Sequence, residues 1–131
     1  GDLDLYVCSG GNEFSNVSTA LIDRLYLNDG IGNFSKSPQV LPTPAFESTS
    51  TVKSSDYDGD GDQDLFVGGR LVATQYGIPM NSYILNNDGK GNFKEVTEQV
   101  APGLKGVGMI TDASWEDIDA DGDPDLILVG E

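Results

Sequence analysis

Residues 56–64 read Asp56-Tyr57-Asp58-Gly59-Asp60-Gly61-Asp62-Gln63-Asp64, and Leu65-Phe66-Val67 follows at once. The pattern returns as Asp117-Ile118-Asp119-Ala120-Asp121-Gly122-Asp123-Pro124-Asp125, followed by Leu126-Ile127-Leu128. In each copy five carboxylates occupy alternate positions of a nine-residue stretch, with glycine at the sixth. Packed into one turn they repel one another unless a cation lies among them, and an all-oxygen donor set suits Ca2+. Glycine permits the positive φ that swings the far ligands round. The spacing predicts side-chain ligands at positions one, three and five, which are Asp56, Asp58 and Asp60 in one copy and Asp117, Asp119 and Asp121 in the other. Position seven (Asp62, Asp123) supplies a carbonyl, and position nine (Asp64, Asp125) closes the cage. An EF-hand opens in the same way but needs an acid at position twelve and flanking helices. Here position twelve is Val67 or Leu128, inside an apolar run that reads as a strand.

The chain opens on the tail of a third copy, Gly1-Asp2-Leu3-Asp4-Leu5-Tyr6-Val7. Asp4 and Asp64 stand 60 residues apart, Asp64 and Asp125 stand 61 apart, and helical periodicity is absent. A second motif repeats too: Arg24-Leu25-Tyr26-Leu27-Asn28-Asp29-Gly30-Ile31-Gly32-Asn33-Phe34 matches Ser82-Tyr83-Ile84-Leu85-Asn86-Asn87-Asp88-Gly89-Lys90-Gly91-Asn92-Phe93, with one residue gained in the turn. Each period then holds a strand entering the acidic loop, a strand leaving it, and a hairpin. Gly68-Gly69 is read as closing the leaving strand, as Gly10-Gly11 does one period earlier. Residues 98–109 have room for a helical turn, and residues 9–23, 38–50 and 70–81 are connections. Four antiparallel strands per radial repeat make a propeller blade. The expected fold is therefore all-β, with a partial blade of three strands over 1–37, a complete blade over 38–97 and a two-stranded partial blade over 98–131. Two periods with fragments on both sides read as a segment of one larger propeller.

The 131 residues carry 22 acids against 7 bases, no histidine, and a net charge of −15. Twelve of those acids lie in the two full loops and the partial one, and two Ca2+ ions would bring the charge to −11. The residual charge argues against a nucleic-acid partner. Cys8 is alone, so no intrachain disulfide forms, and without histidine no nucleophilic triad can be assembled. Glycoside hydrolysis needs one carboxyl with a raised pKa, whereas aspartates coordinating a cation are held ionised. The chain is therefore not expected to be an enzyme. No signal peptide or membrane span is visible. Weak loops of this kind need roughly millimolar Ca2+, which extracellular or periplasm-facing compartments supply.

The nine-residue loop, its Asp-Leu-Phe-Val exit, and Leu25-Tyr26-Leu27-Asn28-Asp29-Gly30 with Gly32-Asn33-Phe34 together resemble the FG-GAP or VCBS repeat. That repeat is found in integrin alpha-chain propellers, in bacterial surface proteins and in the cartilage-acidic-protein-like group. The stretch Gly108-Met109-Ile110-Thr111-Asp112-Ala113-Ser114-Trp115-Glu116-Asp117 is similar to the incoming strand of the last group. The resemblance implies a seven-bladed propeller with Ca2+ held by Asp56, Asp58, Asp60, Asp62 and Asp64 and by Asp117, Asp119, Asp121, Asp123 and Asp125. The expected function is a noncatalytic interaction or adhesion module at a cell surface, bacterial outer membrane and periplasm included, with a protein or glycan ligand. The alternative is a noncatalytic scaffold in a larger extracellular enzyme or outer-membrane transport complex. The remaining blades of the propeller, or a self-associated copy, are the expected partners. The end opposite the acidic loops carries Arg70, Gln75, Tyr76 and Met80, which read either as a recognition surface or as packing over a blade edge.

Overall fold

Leu65-Phe66-Val67 lacks the polar alternation of a half-buried strand because this strand is covered on both faces. In the computed structural model, which describes residues 2–131, Phe66 and Val67 are both 0% exposed. Gly1, first residue of the partial repeat read over 1–37, lies outside the described residues. Side chains alternate across a strand. Phe66 accordingly points to one side, with Ile84, Val96, Leu104, Ile110 and Ala113, while Val67 points to the other, with Tyr83 and Leu85. Burying one such aromatic contributes about 2–3 kcal/mol.

The strands among the described residues form three antiparallel sheets. The first joins β1 (Leu5–Val7), β2 (Arg24–Asn28) and β3 (Phe34–Lys36) in that order. The middle sheet runs β4 (Ser48–Ser55), β5 (Asp64–Leu71), β6 (Tyr83–Asn87) and β7 (Phe93–Glu95), and the third pairs β8 (Ile110–Glu116) with β9 (Asp125–Gly130). One turn of helix, α1 (Thr97–Val100), and a 3-10 turn at Pro102–Leu104 fill the segment where the sequence left room for a helical turn. A further 3-10 turn at Thr19–Leu21, capped by the Ser18 hydroxyl, was not foreseen in the 9–23 connection.

The sheets stack face to face. Tyr6 of the first packs on the cluster of Val67, Tyr83 and Leu85 in the middle sheet, and Trp115, Leu126 and Leu128 of the third pack on the cluster that holds Phe66 and Ile84. Polar ties cross the same junctions. The Ser50 hydroxyl donates to the Ile110 carbonyl at 2.7 Å, and the Lys53 ammonium meets the Asp112 carboxylate at 2.8 Å. Between the first and middle sheets the hub is buried Asp23, which accepts from the Tyr6 hydroxyl (2.9 Å), the Ser9 N–H (2.7 Å) and the Thr49 hydroxyl (2.7 Å).

Three details of the sequence reading change. Gly68-Gly69 does not end a strand, because β5 continues to Leu71. Neither glycine has a positive φ. They are needed for room: a Cβ on Gly69 would lie 2.1 Å from the Asn81 carbonyl oxygen, and one on Gly68 would lie 2.9 Å from methyls of Ile110 and Thr51. β4 starts at Ser48, inside the segment read as a connection, because Ser48 and Thr49 pair with the extended end of β5. The two hairpin turns are also equally long. Strand pairing sets Tyr26 against Leu5 as it sets Leu85 against Leu65, so Asn28 corresponds to Asn87 and no residue is gained in the turn.

Candidate metal centre

Each acidic loop joins the end of an incoming strand to the start of an outgoing one, and its backbone winds back on itself through positive φ. Gly59 (75°) and Gly61 (96°) do this in the first loop, Ala120 (62°) and Gly122 (99°) in the second. Backbone N–H groups then turn inward to the carboxylates. Gly61 donates to Asp56 at 3.0 Å and Asp62 to Asp60 at 3.1 Å; Gly122 donates to Asp117 at 3.1 Å and Asp123 to Asp121 at 3.0 Å. Two loops of different sequence thus adopt one conformation, dictated by the spacing of acids and by residues that tolerate φ above zero.

Asp56, Asp58 and Asp64 each present a carboxylate oxygen within 4.8 Å of the others, and Asp117, Asp119 and Asp125 do the same. These are positions one, three and nine. Asp60 and Asp121, at position five, lie outside these triplets, and the Oδ1 of each accepts the N–H of position seven. Asp62 and Asp123 also lie outside the triplets.

The first loop carries a further mark of a cation. Asp64 is 1% exposed, yet its Oδ2 has no hydrogen-bond partner, and neither do the buried Oδ1 atoms of Asp56 and Asp62. An unpaired buried carboxylate oxygen is costly. Burial pushes the Asp62 carboxyl up, with the charges of Asp60, Asp58, Asp56 and Asp88 adding to it. Asp64 is likewise raised, by burial first and by Asp58 and Asp62, against the pull of the Asn87 and Tyr57 backbone N–H groups. A hard divalent cation satisfies the oxygens and removes the repulsion together. With oxygen donors alone, the residues fit such an ion.

The hairpin of the middle sheet supplies contacts that the sequence reading missed. The Asn86 amide donates to Asp58 Oδ2 at 2.9 Å and Asp64 Oδ1 at 3.3 Å. Asn87 donates its backbone N–H to Asp64 Oδ1 at 2.8 Å and its amide to the Gln63 carbonyl at 3.0 Å. Asparagine before Asp-Gly reads as a turn former, and that reading concealed its reach to another loop. Tyr57 anchors the loop from the other side, stacked on Trp115 with ring centroids 6.2 Å apart.

At the opposite end, Arg70 is committed to the Met109 carbonyl and the Glu131 carboxylate, and half-buried Met80 covers Gly69. Tyr76 donates its hydroxyl to Glu131 while its ring stays largely exposed. Among the described residues no helix is long and apolar enough to cross a membrane.

A family model described as an FG-GAP-like repeat matches residues 1–67 and, in an overlapping second register, residues 56–128. Comparison with curated proteins and with solved structures returned no match.

Proposed function

The chain belongs to the FG-GAP-like repeat family, and from that membership we propose that it is a noncatalytic Ca2+-binding segment of a β-propeller, serving in protein or glycan recognition at a cell surface. The observation that carries the metal reading is Asp64, a carboxylate 1% exposed with one oxygen unpaired beside Asp56 and Asp58. Asp56, Asp58, Asp62 and Asp64 would hold the ion in the first loop, with Asp60 completing the set. Asp117, Asp119 and Asp125 would hold a second ion, with Asp121 and Asp123. Ca2+ held by these carboxylates would supply the positive charge that offsets their repulsion. The chain's own residues set the turn, aim the carboxylates and keep the loop docked on Trp115.

The three sheets are read as blades over 1–37, 38–97 and 98–131, within a propeller of seven. Their face-to-face stacking supports that reading. So does the family, whose repeats are noncatalytic modules typical of extracellular and adhesion proteins. The remaining blades, or a second copy, are the proposed partners of the outer sheets. An extracellular or surface location, a bacterial outer membrane or periplasm included, supplies the Ca2+ such loops need.

Thermal melts in EDTA and in millimolar Ca2+ test the metal. Ca2+ should raise the Tm, and Asp58→Ala with Asp119→Ala should abolish the shift. Equal melting in both buffers in the unsubstituted protein would refute it. Glycan and protein arrays probed in Ca2+ and in EDTA test the recognition role, which predicts binders lost on chelation.

A further inference from the structure

The repeat offers an internal comparison that isolates what the hairpin does for the loop. In the first sheet Asn28 donates its N–H to Asp4 Oδ1 at 2.8 Å and its amide to the Leu3 carbonyl at 3.1 Å. In the middle sheet Asn87 makes the same pair of bonds, to Asp64 and to the Gln63 carbonyl. Each also accepts turn N–H groups on its own Oδ1: Gly30 and Gly32 for Asn28, Gly91 for Asn87. The amide accepts from the turn through its oxygen and donates to the loop through its nitrogen at once; an ionised Asp lacks the donor and Leu lacks both. The neighbouring position differs. Asn86 binds Asp58 and Asp64, but its counterpart in the first hairpin is Leu27.

These contacts fall on the atoms that face away from the unpaired oxygen. Asp64 receives the Asn87 N–H and the Asn86 amide on Oδ1, which leaves Oδ2 buried and without a partner. Asp58 receives Asn86 on Oδ2. The amides therefore hold two carboxylates in a fixed rotation with one oxygen of Asp64 reserved. In the 117–125 loop Asp125 is exposed and the Ile118 N–H donates to its Oδ2; the counterpart of Ile118, Tyr57, also pulls on the Asp64 carboxylate through its backbone N–H, without reaching full hydrogen-bond geometry at Oδ2.

We propose that Asn86 and Asn87 are positioning residues of the 56–64 cation loop, holding Asp58 and Asp64 in the orientation that binds Ca2+. The proposal rests on the metal reading above. Hydrogen-bonded partners of metal ligands typically change affinity by about 10–100-fold when removed.

The test is Ca2+ titration by calorimetry of the whole chain carrying Asp119→Ala, which confines binding to the first loop. Asn86→Leu installs the side chain that the first hairpin carries as Leu27 at the same register. Asn87→Ala is paired with Asn28→Ala, which deletes the equivalent bonds beside a loop that has no carboxylate triplet among the described residues. The expected result is a Kd for Ca2+ raised about tenfold or more by Asn86→Leu and by Asn87→Ala, and unchanged by Asn28→Ala. A purely structural clamp would instead lower the Tm in EDTA for Asn28→Ala and Asn87→Ala alike. It would leave the Kd of every folded variant unchanged, and that result overturns the proposal. Should Asn87→Ala not fold, an unchanged Kd in Asn86→Leu overturns it by itself. If the Asp119→Ala parent takes up no Ca2+, the proposal falls together with the metal reading, an outcome distinct from a parent that binds and variants that bind equally well.

Discussion

Asp23 shows how much one side chain can hold when chain topology places it between two sheets. It collects donors from β1, from the segment after it and from β4, so removing the carboxylate takes the acceptor from the Tyr6 and Thr49 hydroxyls and leaves the Ser9 N–H only the Thr49 hydroxyl oxygen at 3.1 Å. Asp23→Ala should cost about 2–4 kcal/mol in urea denaturation, since each stranded buried donor costs about 1–3 kcal/mol and the Tyr6 hydroxyl can partly recover. Asp23→Asn is a different matter. Its Oδ1 still accepts from Ser9 and Thr49, and the Tyr6 hydroxyl can turn to accept from the amide. Burial pushes the Asp23 carboxyl up, outweighing its hydrogen bonds and the neighbouring Arg24. A carboxyl raised in the folded state contributes fully below its unfolded pKa of about 3.9 and loses that contribution as pH rises through the raised value. Stability of the wild type relative to Asp23→Asn should therefore fall as pH rises over the range above about pH 4. A difference that is flat or rises across that range would count against the buried charge. Glu47, hydrogen-bonded to Tyr83, is raised by burial first and also by the Asp23 charge, so Asp23→Asn relieves part of that shift and adds to the difference with the same sign.

β5 is the strand on which the rest depends. It pairs on both edges, is covered on both faces, and carries Asp64 at its start. Phe66→Ala should cost about 3–5 kcal/mol, the usual range for an aromatic removed from a packed core. Gly69→Ala should also destabilise, because its Cβ would meet a backbone carbonyl that cannot swing aside. A Gly69→Ala protein as stable as wild type in urea would show that β5 and the Asn81 segment are not so closely apposed. Gly59→Ala should be tolerated far better. Ala120 stands at the same loop position with φ of 62°, and a Cβ on Gly59 would meet nothing within 4 Å.

For the molecule as a whole, the repeat supplies a measure of what each sheet face expects to meet. Ile127 corresponds to Phe66, which the third sheet covers completely, yet Ile127 is 37% exposed and Val129 on the same face is 57% exposed. On the first sheet Leu5 corresponds to Leu65 and is 46% exposed. Both outer sheets thus present the face that, in the middle sheet, another sheet buries. The proposed occupant is a further blade or a second copy of the chain. The 131-residue chain should accordingly self-associate in sedimentation velocity at tens of micromolar, and Ile127→Ser with Val129→Ser should shift it toward monomer. A wild-type chain that sediments as a cooperative, stable monomer would argue against that occupant.

The all-β class, the strand on either side of each acidic loop and the hairpins were legible because each rests on local chemistry. Alternating aspartates with glycine at position six admit few backbone paths, and Asn-Asp-Gly turns between short apolar runs make hairpins wherever they occur. The acids that converge, at positions one, three and nine, were all among those the spacing named. What only the tertiary structure decided are contacts between segments far apart in the chain. Gly68-Gly69 looks like a turn in sequence, but a backbone and a neighbouring sheet press on it, so the strand runs through. Asn86 and Asn87 look like turn residues, and only the β5–β6 register lays them against Asp58 and Asp64. Asp23 looks like one more acid in a polar connection, and stacking of two sheets makes it their hub. Backbone conformation follows from residues within a few positions of one another and can be read along the chain. Burial and the partner of each polar atom depend on which surfaces meet, and stacking alone settles that.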